Sequence, residues 1–328
     1  MKILVTGAGG YIGSVLVPML LEGGHEVIAV DRFLFGREVL PERATGLTVV
    51  QEDVRKLQPA TLEGVGAVID LVALSNDPAG ELDPEKTWEV NHRARVRLAR
   101  MAKARKVQRY ILPSSCSVYG YQDGLLDETS RVNPLTTYAK ANLEAERDVL
   151  PLADENFCVV VVRQATVYGY SSRMRFDLAI NGMVGGFFRN GRVPILRDGT
   201  QWRPFVHVRD TCRAMLMLLQ APDDAINGEI FNIGSDDQNV QIMPLAERVA
   251  AAIGVPFKYE WYGLPDHRSY RVSFRKIADR VGYRAMYTVE DGAREVYQAL
   301  QERLVDPDDP RTITVAWYKS LIAQGVPL

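Results

Sequence analysis

Three glycines placed directly after the first apolar run constrain the fold of this chain more than any other feature. The run Ile3-Leu4-Val5 is followed by Gly7, Gly10 and Gly13. Between a strand and a helix, such glycines permit a tight turn, close approach of the backbone to a pyrophosphate, and close packing of the helix on the sheet. The amide groups at the helix start then face the pyrophosphate. This segment predicts a dinucleotide-binding unit; the alternative is a glycine-rich turn that binds nothing.

Short apolar runs alternate with amphipathic stretches through the first half of the chain. Uninterrupted apolar runs are typical of parallel strands buried on both faces. Their alternation with helical stretches predicts an α/β protein with a Rossmann-type doubly wound parallel sheet. The predicted strands are residues 3–5, 26–30, 47–50, 67–71, 109–112 and 159–162, and the predicted helices in this half are residues 84–105 and 138–152.

The alternation loosens after about residue 170, where glycine and proline become frequent. We therefore predict two parts. Residues 1–170 form the NAD-binding domain, with core pieces returning around residues 204–234. Residues 171–328 form mainly a smaller C-terminal α/β lobe that binds the substrate, with single helices near residues 244–253 and 289–303.

Composition excludes several classes of function. The formal net charge is −2 for 328 residues, so no global basic field attracts nucleic acid. No apolar run approaches the roughly 20 residues of a membrane span, and strand-like sequence beginning at Lys2 leaves no room for a signal peptide. Cys116, Cys158 and Cys212 are widely spaced and match no metal or disulfide framework. These features predict a cytoplasmic protein without a metal.

Two acidic residues at strand ends predict the choice of dinucleotide. A carboxylate at Asp31, after the second strand, accepts hydrogen bonds from ribose hydroxyls and repels a 2′-phosphate, which favours NAD over NADP. Arg32 is either a partner for a 2′-phosphate, a solvated side chain, or a side chain stacked on adenine; we favour the latter two. Asp53 and Val54 are placed to meet adenine, although Asp53 also suits a simple turn.

Further motifs follow in order: Leu71-Val72-Ala73, Asn91, Ser114-Ser115-Cys116-Ser117-Val118-Tyr119-Gly120, Tyr138, Arg163 and the run from Arg203 to Asp210. With the glycines, Asp31 and Asp53, they resemble the extended short-chain dehydrogenase/reductase superfamily. Within it they are similar to the NAD-dependent nucleotide-sugar epimerase/dehydratase branch, typified by UDP-galactose 4-epimerase. The resemblance extends to about residue 280.

The resemblance implies a set of cofactor contacts. Leu71, Ala73 and Ser75 line the nicotinamide side, and Asn91 braces this region from a helix. Ala165, Thr166 and Val167 flank the carboxamide, with Thr166 also facing the substrate. For the apolar members a packing role is the alternative. The remaining predicted cofactor contacts are Tyr11 and Ile12 in the glycine turn, and Tyr138.

The resemblance also implies the reacting groups. Ser115 donates to the sugar oxygen, and Tyr138 is the general base that takes the hydroxyl proton. A phenol titrates near 10, so in the family a lysine one helical turn later helps to ionise it. That catalytic position holds Asn142 here, and Lys140 is expected to point away into solvent. Slow chemistry, a cation from elsewhere, an altered reaction and a disabled protein all remain open.

The residues after Ser115 indicate the type of reaction. Dehydratases of this branch carry an Asp-Glu pair there, whereas this chain has Cys116 and Ser117. Neither replaces a carboxyl group in water loss, so we predict that both contact the substrate without catalysing 4,6-dehydration.

Arginines in the second half are typical of diphosphate binding. Arg203, in the pattern Arg-x-x-x-His-Val-x-Asp, resembles the family's diphosphate clamp, and Arg268 is a second candidate. His207 in the same pattern is expected to be structural. The other predicted substrate contacts are Asn76, Arg175 and Asn181; Ser75-Asn76-Asp77 is expected to face the sugar.

We predict an NAD-dependent nucleoside-diphosphate-sugar epimerase that acts by transient oxidation at the sugar C4. The alternatives are a keto-sugar reductase and a catalytically weakened nucleotide-sugar or NAD-binding protein. A homodimer is expected, formed by the helices that carry Asn91 and Tyr138. We expect their outward faces to carry Arg95, Leu98, Met101, Ala102, Leu143 and Val149.

Overall fold

The structure is a computed structural model that describes residues 1–263 and 268–328. Its strands are β1 Lys2–Thr6, β2 Glu26–Asp31, β3 Leu47–Gln51, β4 Ala67–Asp70, β5 Arg109–Ser115, β6 Leu125–Leu126, β7 Cys158–Gln164, β8 Thr166–Tyr168, β9 Val193–Leu196, β10 Trp202–His207, β11 Glu229–Ile233, β12 Asn239–Gln241, β13 Tyr259–Tyr262 and β14 Arg271–Val272. The α-helices are α1 Gly13–Glu22, α2 Asp77–Gly80, α3 Pro84–Trp88, α4 Arg95–Ala104, α5 Thr137–Val149, α6 Ala179–Asn190, α7 Val208–Gln220, α8 Asp223–Ile226, α9 Ile242–Ala252, α10 Arg275–Val281, α11 Val289–Gln301 and α12 Thr314–Ala323.

Seven parallel strands form the main sheet, in the order β11-β7-β5-β4-β1-β2-β3. Every strand predicted in the first half is present, so the doubly wound parallel sheet is confirmed. The predicted helix at residues 84–105 is interrupted: α3 and α4 are joined by a π-helical segment, Glu89–Ala94. Such wide turns insert into α-helices and often lie at functional sites.

Side chains of the strands alternate between two cores, as the pleat requires. In β1, Ile3 and Val5 belong to one apolar cluster with α1 and α7, whereas Leu4 belongs to another with α4 and α5. In β7, Val160 and Val161 divide in the same way. Helices cover both faces, which explains why the strands are apolar without interruption.

The second half contributes smaller sheets and one returning strand. A three-stranded sheet has the order β12-β10-β8, and β13 pairs with β9. Strands β8, β9, β10 and β12 pack with α6, α9 and α11 around a separate apolar cluster, and we call this part of the chain, with β13, the second lobe. In contrast, β11 joins the edge of the main sheet beside β7.

The C-terminal helix packs on the first half of the chain. The Trp317 indole of α12 donates to the Leu34 carbonyl at 2.7 Å, and Tyr318 packs against Phe35 with ring centroids 5.5 Å apart. Both partners lie just after β2, so α12 borders the edge of the sheet where the cofactor is expected.

The predicted outward faces of α4 and α5 are wrong. Arg95, Leu98, Ala102, Leu143 and Val149 are all buried within this single chain. They face the sheet because a helix on an α/β sheet buries one apolar stripe. Apart from Ala104 at the end of α4, the exposed side chains of these helices and the π segment are charged: Arg93, Arg97, Arg100, Lys140, Arg147 and Asp148. Among the described residues, no helix combines the length and apolar character that crossing a membrane requires.

Candidate active site

The candidate site is a cleft of about 580 Å³ at the carboxyl ends of the main strands. Loops that follow β1, β2, β4 and β5 form one wall, and the second lobe forms another. Open parallel sheets bind ligands at this edge. Most residues predicted for the site line the cleft: Gly7, Gly10, Tyr11, Ile12, Gly13, Asp31, Arg32, Asp53, Val54, Leu71, Ala73, Ser75, Asn76, Ser115, Ser117, Tyr138, Asn142, Ala165, Thr166, Val167, Arg175, Arg203 and Arg268.

The glycine turn leaves bare backbone at one end of the cleft. A Cβ atom on Gly13 would lie 2.5 Å from the Gly7 carbonyl oxygen, and one on Gly7 would lie 2.8 Å from the Leu71 carbonyl carbon. Gly7 also has φ +63°, which larger residues rarely adopt. Helix α1 begins at Gly13 without an acidic residue in its first turn. The turn and helix start therefore fit the pyrophosphate of NAD.

Asp31 lies beside this turn and is oriented by main-chain amides. One carboxylate oxygen accepts from the Gly9 amide at 3.0 Å, and the other accepts from the Phe33 amide at 2.6 Å. Burial raises the pKa of Asp31, and these hydrogen bonds oppose that rise. Each oxygen keeps a second lone pair for a ribose hydroxyl, as the predicted role requires.

Arg32 is engaged by the protein rather than left for a 2′-phosphate. It donates to the Pro327 carbonyl at 2.6 Å and lies 4.0 Å from Asp53. Asp53 also pairs with Arg55 at 2.7 Å. Although burial alone would raise it, hydrogen bonds from Arg55 hold the pKa of Asp53 below its usual range. Asp53 has the predicted turn role, since it caps a short turn, and it also lines the cleft, so its contact with adenine stays a prediction.

Sequence reasoning missed the C-terminal contribution to the cleft. Val315, Tyr318 and Leu328 line it, and the Leu328 carbonyl accepts from Arg55 at 2.9 Å. No motif marks these residues, and their position depends on packing against a distant part of the chain. Arg173 also lines the cleft, with its guanidinium 3.7 Å from the centre of the Phe35 ring.

Tyr138 and Ser115 meet near the middle of the cleft. Thr136 caps α5 by accepting from the Ala139 amide at 3.2 Å, which places Tyr138 in the first turn of the helix. Burial and the nearby Asp77 carboxylate raise the pKa of Tyr138. Arg95, Arg175 and a hydrogen bond with Ser115 act in the opposite direction. The phenol therefore needs positive charge nearby to ionise at neutral pH.

Asn142 is buried and hydrogen-bonded at both ends of its amide. Its Nδ2 donates to the Tyr138 carbonyl at 2.9 Å, and its Oδ1 accepts from Arg95 Nη1 at 2.8 Å. Lys140 is exposed, as expected. Sequence reasoning missed Arg95 by placing it on the outer face. Arg95 lies four residues after Asn91, which is about one helical turn. Because Asn91 was expected to face inward, this spacing could have predicted that Arg95 faces inward as well.

Polar side chains of the two lobes meet at the expected sugar end. Arg175 pairs with Asp177 at 2.8 Å and also donates to the Ser75 hydroxyl at 3.2 Å. Asp177 in turn accepts from Asn76 at 2.8 Å. Arg268 pairs with Asp77, which follows β4. This network joins the loop after β4 to the second lobe.

Arg203 points into the cleft and also supports its wall. Its guanidinium donates to the carbonyls of Trp202 and Arg268 and lies 5.5 Å from the centre of the Tyr270 ring. A guanidinium carries several N–H donors in one plane, which is the geometry that phosphate oxygens bind.

Three residues predicted to contact ligands do not line the cleft. Asn181 is fully buried, where it accepts from the Gly169 amide and donates to the Tyr11 hydroxyl. Asn91 bonds both the amide and the carbonyl of Leu74. It therefore braces the loop after β4 without touching the cofactor space. The bracing role predicted for Asn91 is therefore present, whereas its cofactor contact and the substrate contact of Asn181 are not, because a buried amide is satisfied by polar groups packed beside it.

Cys116 is the third such residue. It is buried, and its thiol donates to the Arg163 carbonyl at 3.3 Å. Burial raises the pKa of this thiol far above its usual range. A substrate contact by Cys116 is therefore wrong, and it supplies neither an acid nor a base. Ser117 lines the cleft, and its contact with the substrate stays a prediction.

His207 lies outside the cleft. Its ring is fully buried, bonds Glu295 at 2.8 Å and accepts from the Arg209 amide at 3.2 Å. It also stacks on Tyr287 with centroids 4.3 Å apart. These contacts suit the structural role predicted for it.

Comparison with known proteins identifies the family to which this chain belongs. MoeE5, solved in complex with UDP-glucuronic acid and NAD, is 29% identical with a TM-score of 0.82, covering 92% of this chain and 100% of that one. An uncharacterized UDP-glucose epimerase of Bacillus subtilis, YtcB, is 30% identical over 253 residues, which are 73% of this chain and 78% of that protein.

Relatives also differ in reaction. A UDP-N-acetyl-alpha-D-glucosaminuronate decarboxylase of Bacillus cytotoxicus is 25% identical over 323 residues, covering 92% of this chain and 98% of that protein. The description of the NAD dependent epimerase/dehydratase family matches residues 3–234. The chain is therefore an enzyme of the extended short-chain dehydrogenase/reductase type with NAD as its cofactor, and it belongs to the NAD-dependent epimerase/dehydratase family.

Proposed function

We propose that this enzyme is a UDP-sugar 4-epimerase that acts by transient oxidation at the sugar C4. The observation that carries the proposal is the pair of Tyr138 and Ser115 in the cleft, without a carboxyl pair after Ser115. The ligands of MoeE5 in its solved complex and the name of YtcB support a UDP-sugar as substrate.

The chain's own residues perform the proton chemistry. Tyr138 takes the proton of the C4 hydroxyl, and Ser115 holds that oxygen by a hydrogen bond. When bound, NAD supplies a hydride acceptor whose reduced form returns the hydride. The 4-keto sugar turns over in the cleft, so that the hydride returns to the opposite face of C4, and Tyr138 gives the proton back to the C4 oxygen. Because Cys116 and Ser117 provide no second acid–base pair, the sugar does not lose water.

Arg203 and Arg268 are proposed to hold the diphosphate while the sugar turns. A sugar that must present both faces to one hydride acceptor needs an anchor outside the ring. Guanidinium groups bind phosphate oxygens through paired donors. The Asn76–Asp177–Arg175 network borders the space in which the sugar turns.

The test is incubation of the purified protein with UDP-glucose, UDP-glucuronic acid and UDP-N-acetylglucosamine, followed by proton NMR of the anomeric signals. We expect the C4 epimer of one of them without added cofactor, and no product from Tyr138→Phe. Loss of carbon dioxide would indicate a decarboxylase. Stoichiometric consumption of added reduced cofactor with a keto-sugar would indicate a reductase. Binding without any turnover would favour the weakened binding protein.

We also propose a cytoplasmic homodimer. Three buried free thiols suit a reducing compartment, and the pairing follows from the family resemblance.

A further inference from the structure

Asn142 connects the main chain of Tyr138 to a buried cation. The Asn142 side chain is 2% exposed. It spans from the Tyr138 carbonyl, at 2.9 Å, to Arg95 Nη1, at 2.8 Å. Since the amide oxygen can only accept and the amide nitrogen can only donate, these two contacts orient the side chain. The uncharged residue at this position therefore belongs to a network that already contains a positive charge.

Arg95 is held firmly within that network. It is 1% exposed, and its guanidinium donates to the carbonyls of Asp70 and Pro113 as well as to Asn142. The Asp70 carboxylate lies 3.4 Å from its Nε and is shared with the hydroxyls of Thr6 and Tyr110. Arginine keeps its proton in proteins. A permanent positive charge therefore lies directly behind two residues that line the cleft, Pro113 and Asn142.

We propose that Arg95 replaces the lysine expected at position 142, acting through Asn142 as the positioning residue that keeps a positive charge beside Tyr138. The inference rests on the proposed function, in which Tyr138 is the acid–base group. It adds that the active-site charge has moved from α5 to α4 and has not been lost.

The charged groups that most affect the pKa of Tyr138 are all ion-paired: Asp77 with Arg268, Arg175 with Asp177, and Arg95 with Asp70. The contact of Arg95 with Asp70, at 3.4 Å, is the longest of the three. After burial and Asp77, which raise the pKa of Tyr138, Arg95 is the strongest influence that lowers it, ahead of Arg175. Lys140 on the same helix is exposed.

The geometry also excludes a lysine at position 142 while Arg95 is present. An ammonium group would replace the oxygen that accepts from Arg95 and would bring two buried cations together. Such an arrangement removes a hydrogen bond and adds like-charge repulsion. A positive residue at position 142 therefore requires a neutral residue at position 95, and only one of the two positions carries the charge.

The experiment relocates that charge. We would compare the native enzyme with Arg95→Gln, Asn142→Lys and the double variant Arg95→Gln/Asn142→Lys. The measurement is single-turnover reduction of NAD by UDP-glucose or UDP-glucuronic acid, followed by absorbance between pH 6 and 10. We expect Arg95→Gln to be about tenfold slower at neutral pH and to approach the native rate at high pH. An opposite charge near a titrating group shifts its pKa by about 1–3 units, and removing it raises the pKa of Tyr138.

Each single variant is expected to be slower than the double variant, which should recover at least part of the native rate at neutral pH. Double variants no better than either single variant would overturn the inference, as would an Arg95→Gln enzyme slowed equally at every pH.

Folding needs its own control, because Arg95→Gln leaves Asp70 without its cation. Asp70→Asn keeps Arg95 and removes the opposing negative charge. We expect it to shift the pH profile toward lower pH, opposite to Arg95→Gln. A purely structural network would instead be damaged in the same direction by both changes. If Arg95→Gln does not fold, Asp70→Asn and the double variant Arg95→Gln/Asn142→Lys remain as tests, and an unshifted pH profile in Asp70→Asn would overturn the inference.

A second readout separates this inference from the proposed reaction. With ¹³Cζ-labelled tyrosine and NAD bound, NMR follows the titration of Tyr138 without any sugar, and Tyr138→Phe assigns the signal. A higher pKa of Tyr138 in Arg95→Gln supports the inference even if no sugar is oxidised, which would reject only the proposed function. An unchanged pKa of Tyr138 rejects the inference even if epimerisation is observed.

Discussion

Adding one methyl group at the start of α1 is expected to weaken NAD binding. A Cβ atom at Gly13 would lie 2.5 Å from the Gly7 carbonyl oxygen, 2.6 Å from the Ala8 carbonyl oxygen and 2.7 Å from the Ala8 carbonyl carbon. All three atoms are main chain, so no side-chain rotation relieves the contact. Gly13→Ala must therefore push the glycine turn away from the helix that it adjoins.

The size of the effect follows from those contacts. Inserting a methyl group into a well-packed site costs about 1–3 kcal/mol. If the turn stays in place, the steric contact lowers the free energy of unfolding. If the turn moves to relieve the contact, the fold is spared and the affinity for NAD falls instead. We expect the two losses to sum to about 1–3 kcal/mol. If all of it appears in binding, the Kd for NAD rises about 5- to 140-fold, since each 1.4 kcal/mol is tenfold.

Calorimetry of NAD binding to cofactor-free protein, together with denaturant unfolding, measures both losses. Gly23→Ala is the matched control, because Gly23 ends the same helix and a Cβ there meets its neighbours at an ordinary 3.4 Å. Its φ of −74° also suits alanine, so little change or slight stabilisation is expected. If Gly13→Ala matched Gly23→Ala in both measurements, the close packing of turn and helix would be refuted.

Asp31→Ala should weaken NAD and relax the preference against NADP, because the carboxylate that repels a 2′-phosphate is removed; tighter binding of NADP by the native protein would contradict this. Arg203→Ala should weaken UDP-sugar binding by about 1.5–3 kcal/mol, the scale of a charged hydrogen bond, with NAD affinity unchanged in calorimetry. Equal loss of both ligands would mean that its contacts with the wall dominate. Despite burial, Arg175 holds the pKa of Asp177 below its usual range, so this carboxylate stabilises the fold above about pH 4 and less as pH falls through the lowered pKa. The difference in Tm between native protein and Asp177→Asn should therefore shrink in acid, and a constant difference would count against the pairing. Light scattering at micromolar concentration should give twice the chain mass, and a monomer would reject the proposed dimer.

The sequence alone was sufficient for the main sheet and the cofactor end. Apolar runs such as 159–162 are too uniform for a half-exposed strand, and the period of two that divides Val160 from Val161 is a local property of the chain. The glycines at 7, 10 and 13 predict the turn by residue type alone, because only a residue without a side chain allows the close contacts at Gly13. Residues at the carboxyl ends of parallel strands, such as Asp31 and Ser115, meet at one edge whatever the rest of the fold does.

Tertiary structure decided what surrounds those residues. In the sequence, Asn142 indicates that the positive charge of the family lysine is missing. In the structure, the guanidinium of Arg95, 47 positions away along the chain, lies 2.8 Å from the Asn142 side chain. Asn181 has the chemistry of a phosphate ligand, but packing gives its amide to Gly169 and Tyr11. Spacing along the chain sets which neighbours share a strand or a helical face. Hydrogen-bond partners of buried polar groups depend on packing between elements that are distant in sequence. A single sequence carries no local signal for which partners will meet.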